Sequence, residues 1–363
     1  FPELISTGVA LFDVEGDGDL DVYLVQGGSV LDDVQSVGNV LYLNDGTGTF
    51  RDATGQMGVT DRAYGMGATT GDYDGDGDLD LYVSNLGGNT LLRNEGAGRF
   101  VDVTDEAGVS GDKWSTGAAF FDYDADGDLD LFVANYVYWS AEADPICQDA
   151  GREPTYCGPR SYDAPTPDTL FRNDGDGTFT DVSRRTGIYD RLGNGLGVLT
   201  GDFDGDGRQE VFVANDGAPN HMWVLGDDGR FSEVAVRQGC AVDNMGTAKA
   251  GMGVVASDLD RDGDEVLLRL VDTDRLHVVG AVPESRASAL ISVGPAGRIF
   301  TSYLRSQRSG GNTLGASPRL VCMEGDDLVY ERLIMPDTLP LALLPLANHE
   351  LWLAGQTSDQ TAL

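Results

Sequence analysis

The sequence predicts an all-β fold, a β-propeller of four-stranded blades, on three grounds. An aspartate-rich segment recurs five times along the 363 residues, a short hairpin unit recurs between the copies, and the stretch after each aspartate cluster alternates apolar and polar residues. Self-similarity at a period of roughly 50 residues marks repeat architectures, and four short strands per repeat mark propeller blades.

The aspartate-rich copies are ALFDVEGDGDLDVYLV from Ala10, TGDYDGDGDLDLYVSN from Thr70, FFDYDADGDLDLFVAN from Phe120, TGDFDGDGRQEVFVAN from Thr200 and ASDLDRDGDEVLLRL from Ala256. Their first aspartates, Asp13, Asp72, Asp122, Asp202 and Asp258, are 59, 50, 80 and 56 residues apart. The hairpin units are NVLYLNDGTGTFRDAT, NTLLRNEGAGRFVDVT, DTLFRNDGDGTFTDVS and the looser NHMWVLGDDGRFSEVA. Each joins two apolar runs through a Gly/Asp/Asn turn, the pattern of a β-hairpin. In LDLYVSN, Leu79, Leu81 and Val83 point one way and Asp80, Tyr82 and Ser84 the other, the period of a strand.

The long spacing holds an insertion, about residues 139–167, with Cys147 and Cys157 in a polar, Pro-rich stretch. It reads as a loop stapled by a short disulfide in an oxidising compartment, or else as two unpaired surface thiols. Cys240 and Cys322 sit in apolar contexts that suit core residues, and their pairing is open. Tyr136-Val137-Tyr138-Trp139 leads into the insertion, either as an exposed aromatic surface or as rings packing the insertion onto its blade. After about residue 264 the character changes: 42 of the 50 glycines and 48 of the 60 acids precede that point. Residues 1–263 read as metal-bearing blades and 264–363 as divergent blades closing the ring, with a separate small β domain as the competing reading.

Composition narrows the partners. Net charge is −36 with two lysines, Lys113 and Lys249, a surface that repels nucleic acid and anionic lipid and suits cations. No continuous apolar stretch reaches the 18 to 20 residues of a membrane span. A chain that starts at Phe1 reads as a processed or trimmed form.

The aspartate loops have the ligand order of a Ca²⁺ site. Asp72, Asp74 and Asp76 stand at positions 1, 3 and 5, Gly77 at 6, Asp78 at 7 with its backbone carbonyl, and Asp80 at 9. The first copy reads Asp13, Glu15, Asp17, Asp19 and Asp21, and the third Asp122, Asp124, Asp126, Asp128 and Asp130. The fourth reads Asp202, Asp204, Asp206, Arg208 (through its carbonyl) and Glu210. The fifth keeps Asp258, Asp260 and Asp262 but has Val266 at position 9, a weakened site. Position 12 is apolar or Arg269, and a strand follows each loop, so an EF-hand is excluded. Like charges about 4 Å apart cost on the order of 4 kcal/mol per pair at an effective dielectric near 20. Several such pairs rival the ~5–15 kcal/mol stability of a whole domain, and a hard divalent cation removes that cost. Four or five Ca²⁺ ions are expected, in preference to Mg²⁺, which keeps a stricter, water-retaining octahedron.

These segments resemble the FG-GAP and VCBS repeats of integrin-like propellers. More closely, GMGATTGDYDGDGDLDLYVSN, TLFRNDGDGTFTDVS, YCGPRSY and VFVANDGAPNHMW resemble the bacterial relatives of cartilage acidic protein associated with ASPIC/UnbV domains. The resemblance covers roughly residues 8–263 and implies a calcium-bearing extracellular propeller, seven-bladed by analogy, with structural or adhesive roles. The tail departs from it.

No catalytic constellation emerges. His221, His277 and His349 fit no zinc spacing, and neither a GxSxG elbow nor a phosphate-binding glycine loop is present. Three readings result: a calcium-stabilised adhesion, scaffold or protein-interaction module, extracellular or periplasmic and not an enzyme; a carbohydrate-binding or carbohydrate-cleaving propeller; or an accessory subunit of a larger envelope complex. The partner would be another protein or a glycan.

Overall fold

The computed structural model describes Pro2, residues 8–27, 37–142, 144–148, 152–155, 157, 161–203, 205–243 and 246–257, and beyond these the strand backbones between Val266 and Thr357. Two compact units divide the chain, residues 1–200 with 208–234, and residues 201–207 with 235–363.

The first unit is built from antiparallel four-stranded meanders, the blades of a β-propeller. The first blade runs β1 (Val9–Phe12), β2 (Asp21–Leu24), β3 (Val40–Asn44) and β4 (Phe50–Asp52). The second runs β5 (Tyr64–Gly71), β6 (Asp80–Leu86), β7 (Thr90–Asn94) and β8 (Phe100–Asp102). The third is β9 (Ser115–Phe121), β10 (Asp130–Asn135), β13 (Thr169–Asn173) and β14 (Phe179–Asp181), interrupted by the small hairpin β11 (Cys147–Gln148) and β12 (Pro154–Thr155). The fourth is β15 (Gly195–Gly201), β16 (Glu210–Asn215), β17 (His221–Leu225) and β18 (Phe231–Glu233).

The period-two alternation separates two cores, not core from solvent. Leu81 and Val83 on β6 join Phe12, Tyr23, Leu41 and Phe100 between the first two sheets. Tyr82, from the other face, joins Tyr73, Leu131, Val133 and Phe171 between the second and third. Phe132 and Ala134 then meet Val211, Val213 and Trp223 between the third and fourth. Both faces of β6, β10 and β16 are therefore buried, while β2 buries one face, and Ser84 and Asp80 are as enclosed as the leucines.

The first strands of successive blades approach closely enough to require glycine. A Cβ on Gly67 would sit 2.5 Å from the Thr116 carbonyl oxygen, and one on Gly117 2.9 Å from that of Leu196. These contacts explain the glycines in GMGA and STGA, which no strand propensity favours.

The outer strands of the first three blades end in a device absent from the sequence reading, a one-turn helix: α1 (Thr54–Met57), α2 (Thr104–Ala107) and α3 (Ser183–Thr186). Asp102 Oδ1 accepts both the Thr104 amide and its hydroxyl, while Thr104 Oγ1 accepts the Leu91 amide at 2.8 Å. Asp52 with Thr54 and Asp181 with Ser183 repeat the arrangement. The hydroxyl thus stitches the chain leaving the fourth strand back onto the third.

In the second unit, β19 (Val254–Ser257), β20 (Val266–Leu270) and β21 (Leu276–Val279) form a three-stranded antiparallel sheet. A four-stranded sheet follows, β22 (Leu290–Gly294), β23 (Arg298–Ser309), β24 (Asn312–Glu324) and β25 (Asp327–Leu333), then the hairpin β26 (Thr338–Pro345) and β27 (Leu351–Thr357). Strands of 12 and 13 residues in β23 and β24 exceed any strand of the first unit, where the longest has 8.

Candidate metal centre

In the first four blades the aspartate-rich loop joins the first strand to the second, and the loop backbone is shaped by its own carboxylates. Asp72 Oδ1 accepts the Asp76 amide at 3.0 Å and its Oδ2 that of Gly77 at 3.0 Å. Asp76 in turn accepts the Asp78 amide at 2.9 Å. Asp13, Asp122 and Asp202 hold their loops in the same way. Glycine at position 6 is left-handed throughout, with φ of 92° at Gly18, 97° at Gly77, 97° at Gly127 and 86° at Gly207. Position 4 is left-handed too, at Gly16, Gly75 and Gly205, and at Ala125 with φ 59°. That second requirement is written in the recurring Gly-Asp-Gly and was missed because one glycine suffices to explain the turn.

Position 9 opens the second strand and is buried: Asp21, Asp80 and Asp130 are fully enclosed. Asp80 Oδ2 accepts the Tyr73 amide at 3.1 Å and its Oδ1 the Asn94 amide at 2.8 Å. Asp130 does the same with Tyr123 and Asn173, and Asp21 with Val14 and Asn44. This carboxylate therefore also pins its own loop to the third strand of the blade, a role its spacing alone does not reveal.

Three oxygens converge in the second and third blades. One carboxylate oxygen from each of Asp72, Asp74 and Asp80 lies within 4.8 Å of the others, and Asp122, Asp124 and Asp130 form the same triad. Among the described residues these are the two acidic groups that close to this distance. Glu15 replaces the position-3 aspartate in the first loop, and the set Asp13, Glu15 and Asp21 does not close so tightly. Asp204, Asp258, Asp260 and Asp262 lie outside the described residues.

The position-7 side chains turn elsewhere, which leaves their carbonyls for the loop. Asp19 Oδ2 would lie 2.5 Å from a Cβ on Gly46, and Asp128 Oδ2 2.9 Å from one on Gly175, each in the turn between the third and fourth strands. Arg208 at the same position reaches over to Asp227 in the equivalent turn, at 3.1 Å.

The electrostatics favour a cation. Burial, foremost, pushes the carboxyls of Asp80 and Asp130 up to about 7 despite the two amides each accepts, and neighbouring aspartates add to the rise. Burial and then the adjacent acids also raise Asp74, Asp124, Asp21 and Glu15. An all-oxygen set of mutually repelling carboxylates, graded from exposed Asp74 and Asp124 to buried Asp80 and Asp130, fits a hard divalent ion.

The profile of the FG-GAP-like repeat matches residues 13–83, 72–133, 160–213 and 202–268, more than half of the chain. The chain belongs to the FG-GAP-like repeat family. Three of the four matched segments start at the first aspartate of a loop, the third starts at residue 160 within the insertion, and all four end in the second strand of a sheet. Cartilage acidic protein 1 of Xenopus tropicalis is 32% identical over 99 residues, 26% of this chain and 14% of that protein. The human protein is 36% identical over 58 residues, 16% of this chain and 9% of its own length. The chain thus spans about a seventh or less of the curated relatives it matches. Among solved structures, a lectin from Agrocybe aegerita that recognises non-reducing terminal N-acetylglucosamine is 14% identical, with 92% of this chain and 81% of that chain covered and a TM-score of 0.42. An exotype rhamnogalacturonan lyase is 12% identical, with 98% and 71% covered and a TM-score of 0.44. Neither likeness carries binding or activity over to this chain.

The other ends of the FG-GAP-like second strands carry a different set. Cys147 and Cys157 form a disulfide with Cα atoms 5.3 Å apart, inside the loop that connects β10 to β13. Of the four residues leading into it, Tyr136 and Val137 are buried and Trp139 is half-buried against Trp114, so the rings pack the insertion onto its blade; Tyr138 stays 56% exposed. Asn135 and Asn215 end their second strands and Asn85 is one residue short of the end of β6; all three are buried, each bonded to the loop that follows. His221 is buried at the start of β17, edge-on to Trp223 and with Nδ1 3.9 Å from Asp168 Oδ2, a packing position. Cys240 is buried as the sequence suggests.

Proposed function

We propose that this chain is a calcium-stabilised propeller module of the extracellular or periplasmic space, whose exposed loops bind another protein or a glycan, and that it acts by binding and not by catalysis. The convergence of Asp72, Asp74 and Asp80, with its copy at Asp122, Asp124 and Asp130, carries the calcium reading. Those residues would hold the ion, joined by the carbonyls of Asp78 and Asp128. The ion would supply charge neutralisation and rigidity to loops whose carboxylates otherwise oppose one another. The Cys147–Cys157 disulfide supports an oxidising compartment. No helix among the described residues is long and apolar enough to cross a membrane. Reading residues 264–363 as divergent blades is part of the same proposal, supported by the antiparallel meander of β22 to β25.

Calcium analysis of metal-stripped and reloaded protein, with thermal unfolding of both, tests the reading. Reloading should restore four or five ions and raise the melting temperature, and Asp74→Ala should lose one of them. Unchanged melting on stripping would overturn it.

A further inference from the structure

We propose that Asn94 and Asn173 couple the aspartate loops of the first three blades, so that these loops form, and take up cations, as one cooperative unit. The observation is a continuous chain of hydrogen bonds running from loop to loop. Asp21 Oδ2 accepts the Val14 amide at 2.9 Å, and the Val14 carbonyl accepts Asn94 Nδ2 at 3.2 Å from the next blade. The Asn94 amide donates to Asp80 Oδ1 at 2.8 Å, and Asp80 Oδ2 accepts the Tyr73 amide at 3.1 Å. The Tyr73 carbonyl accepts Asn173 Nδ2 at 2.8 Å from the third blade, and the Asn173 amide donates to Asp130 Oδ1 at 2.8 Å. Asp130 Oδ2 then accepts the Tyr123 amide at 3.0 Å.

The first two loops are therefore held by two bonds of different reach, and the third by the nearer one. The position-9 aspartate ties position 2 of its own loop to the third strand of its own blade. The asparagine at the end of that strand ties the blade to position 2 of the preceding loop. Asn94 and Asn173 are buried, with exposures of 1% and 3%, so water does not compete for these bonds. A loop that loses its shape releases an acceptor in its neighbour's chain, and a loop ordered by an ion presents its carbonyl ready placed.

The fourth blade stands outside. Leu225 occupies the place of Asn94 and Asn173, pairing with Phe231 as Asn94 pairs with Phe100 and Asn173 with Phe179, and it has no side-chain amide to donate. The chain of bonds accordingly ends at Tyr123.

Asn94→Leu imports the residue that the fourth blade uses, and amide exchange of the metal-free full chain gives the first test. The Val14 to Gly18 amides of the preceding blade should exchange about fivefold faster, the factor expected from one lost hydrogen bond of ordinary net strength. Asn173→Leu should do the same at Tyr73 to Gly77. Arg93→Ala, which alters the adjoining side chain but none of these bonds, should leave Val14 to Gly18 unchanged. The cation half rests on the calcium reading proposed above, and titration calorimetry tests it: the wild-type isotherm should be cooperative and that of Asn94→Leu less so. Absence of calcium heat would sink the calcium reading while leaving the exchange test intact. Unchanged exchange at Val14 to Gly18 and at Tyr73 to Gly77 in the two variants, or equal acceleration by Arg93→Ala, would overturn the coupling.

Discussion

Stripped of metal, the protein should lose stability as pH rises from 5 to 8, the reverse of an ordinary acid-denatured protein. Asp80 and Asp130 are carboxyls raised from 3.8 to about 7 by burial. For an acid raised on folding, the folded state keeps a proton that the unfolded chain has released. Its stability contribution is complete below the unfolded value near 3.8 and is lost as pH climbs through 7. Of this rise about 2 units, from pH 5 to about 7, fall inside the window, which at ~1.4 kcal/mol per unit is ~3 kcal/mol per group. Water reaching the loop from its exposed side should halve this, leaving about 1.5 kcal/mol for each aspartate and ~3 kcal/mol for the pair. For a unit of this size that is roughly an 8 °C fall in melting temperature. The carboxyls held low, Asp45, Asp52, Asp174 and Glu95, each bonded to a hydroxyl or an arginine, do not mask the effect. They are ionised in both folded and unfolded chains across that window. Circular-dichroism melts of resin-stripped protein at half-unit pH steps would measure it, with a parallel series at saturating calcium. With calcium the slope should flatten or reverse, because the ion takes the proton's place. A stripped protein whose melting temperature stays level or climbs between pH 5 and 8 would refute the reasoning.

Two further perturbations follow from the same geometry. Ala125→Gly should raise stability by about 0.5–1 kcal/mol in a denaturant titration, since Ala125 sits at φ 59° where Gly16, Gly75 and Gly205 stand in the other described loops. Tyr136→Phe should cost about 1.5–3 kcal/mol in chemical unfolding, because the hydroxyl donates at 2.7 Å to buried Asp216 across to the fourth blade.

The repeat is legible in the residues because backbone geometry allows few substitutes. Glycine at position 6 and carboxylates at 1, 3 and 5 recur wherever the loop recurs, and the hairpin units mark the third and fourth strands. What stays hidden is whatever depends on a second blade. Asp80 reads as a ligand, but only the fold shows that both its oxygens accept amides. Asn94 reads as a turn residue, because the Val14 carbonyl it reaches is 80 positions away. Tyr82 and Ser84 read as a polar face, because alternation says that two faces differ and not that both are covered. The one-turn helices escape a periodicity search for a simpler reason, being four residues long. The tail keeps strand-like patterns but lacks the loop, so nothing in it marks a register.

The second strand of the third blade, β10, links the aspartate loop to the disulfide-bearing insertion. Asp130 opens β10 in the aspartate loop and Asn135 closes it, with Leu131, Phe132, Val133 and Ala134 buried between them. At about 3.3 Å per residue, the metal loop and the root of the disulfide-bearing insertion lie roughly 17 Å apart on one continuous strand. Asn135 donates to the Pro167 carbonyl at 3.0 Å and accepts from Ser115 at 2.9 Å, so the insertion's return segment is bonded to the same strand end. A strand buried on both faces and tethered at both ends does not absorb a displacement by bending locally. Order imposed on the loop at one end therefore limits the freedom of the loop at the other. With calcium bound as proposed, the ions would not have to touch a partner to matter for binding it: by holding Asp130 in place they would fix the platform from which Tyr138 is presented, and so reduce the ordering cost of binding.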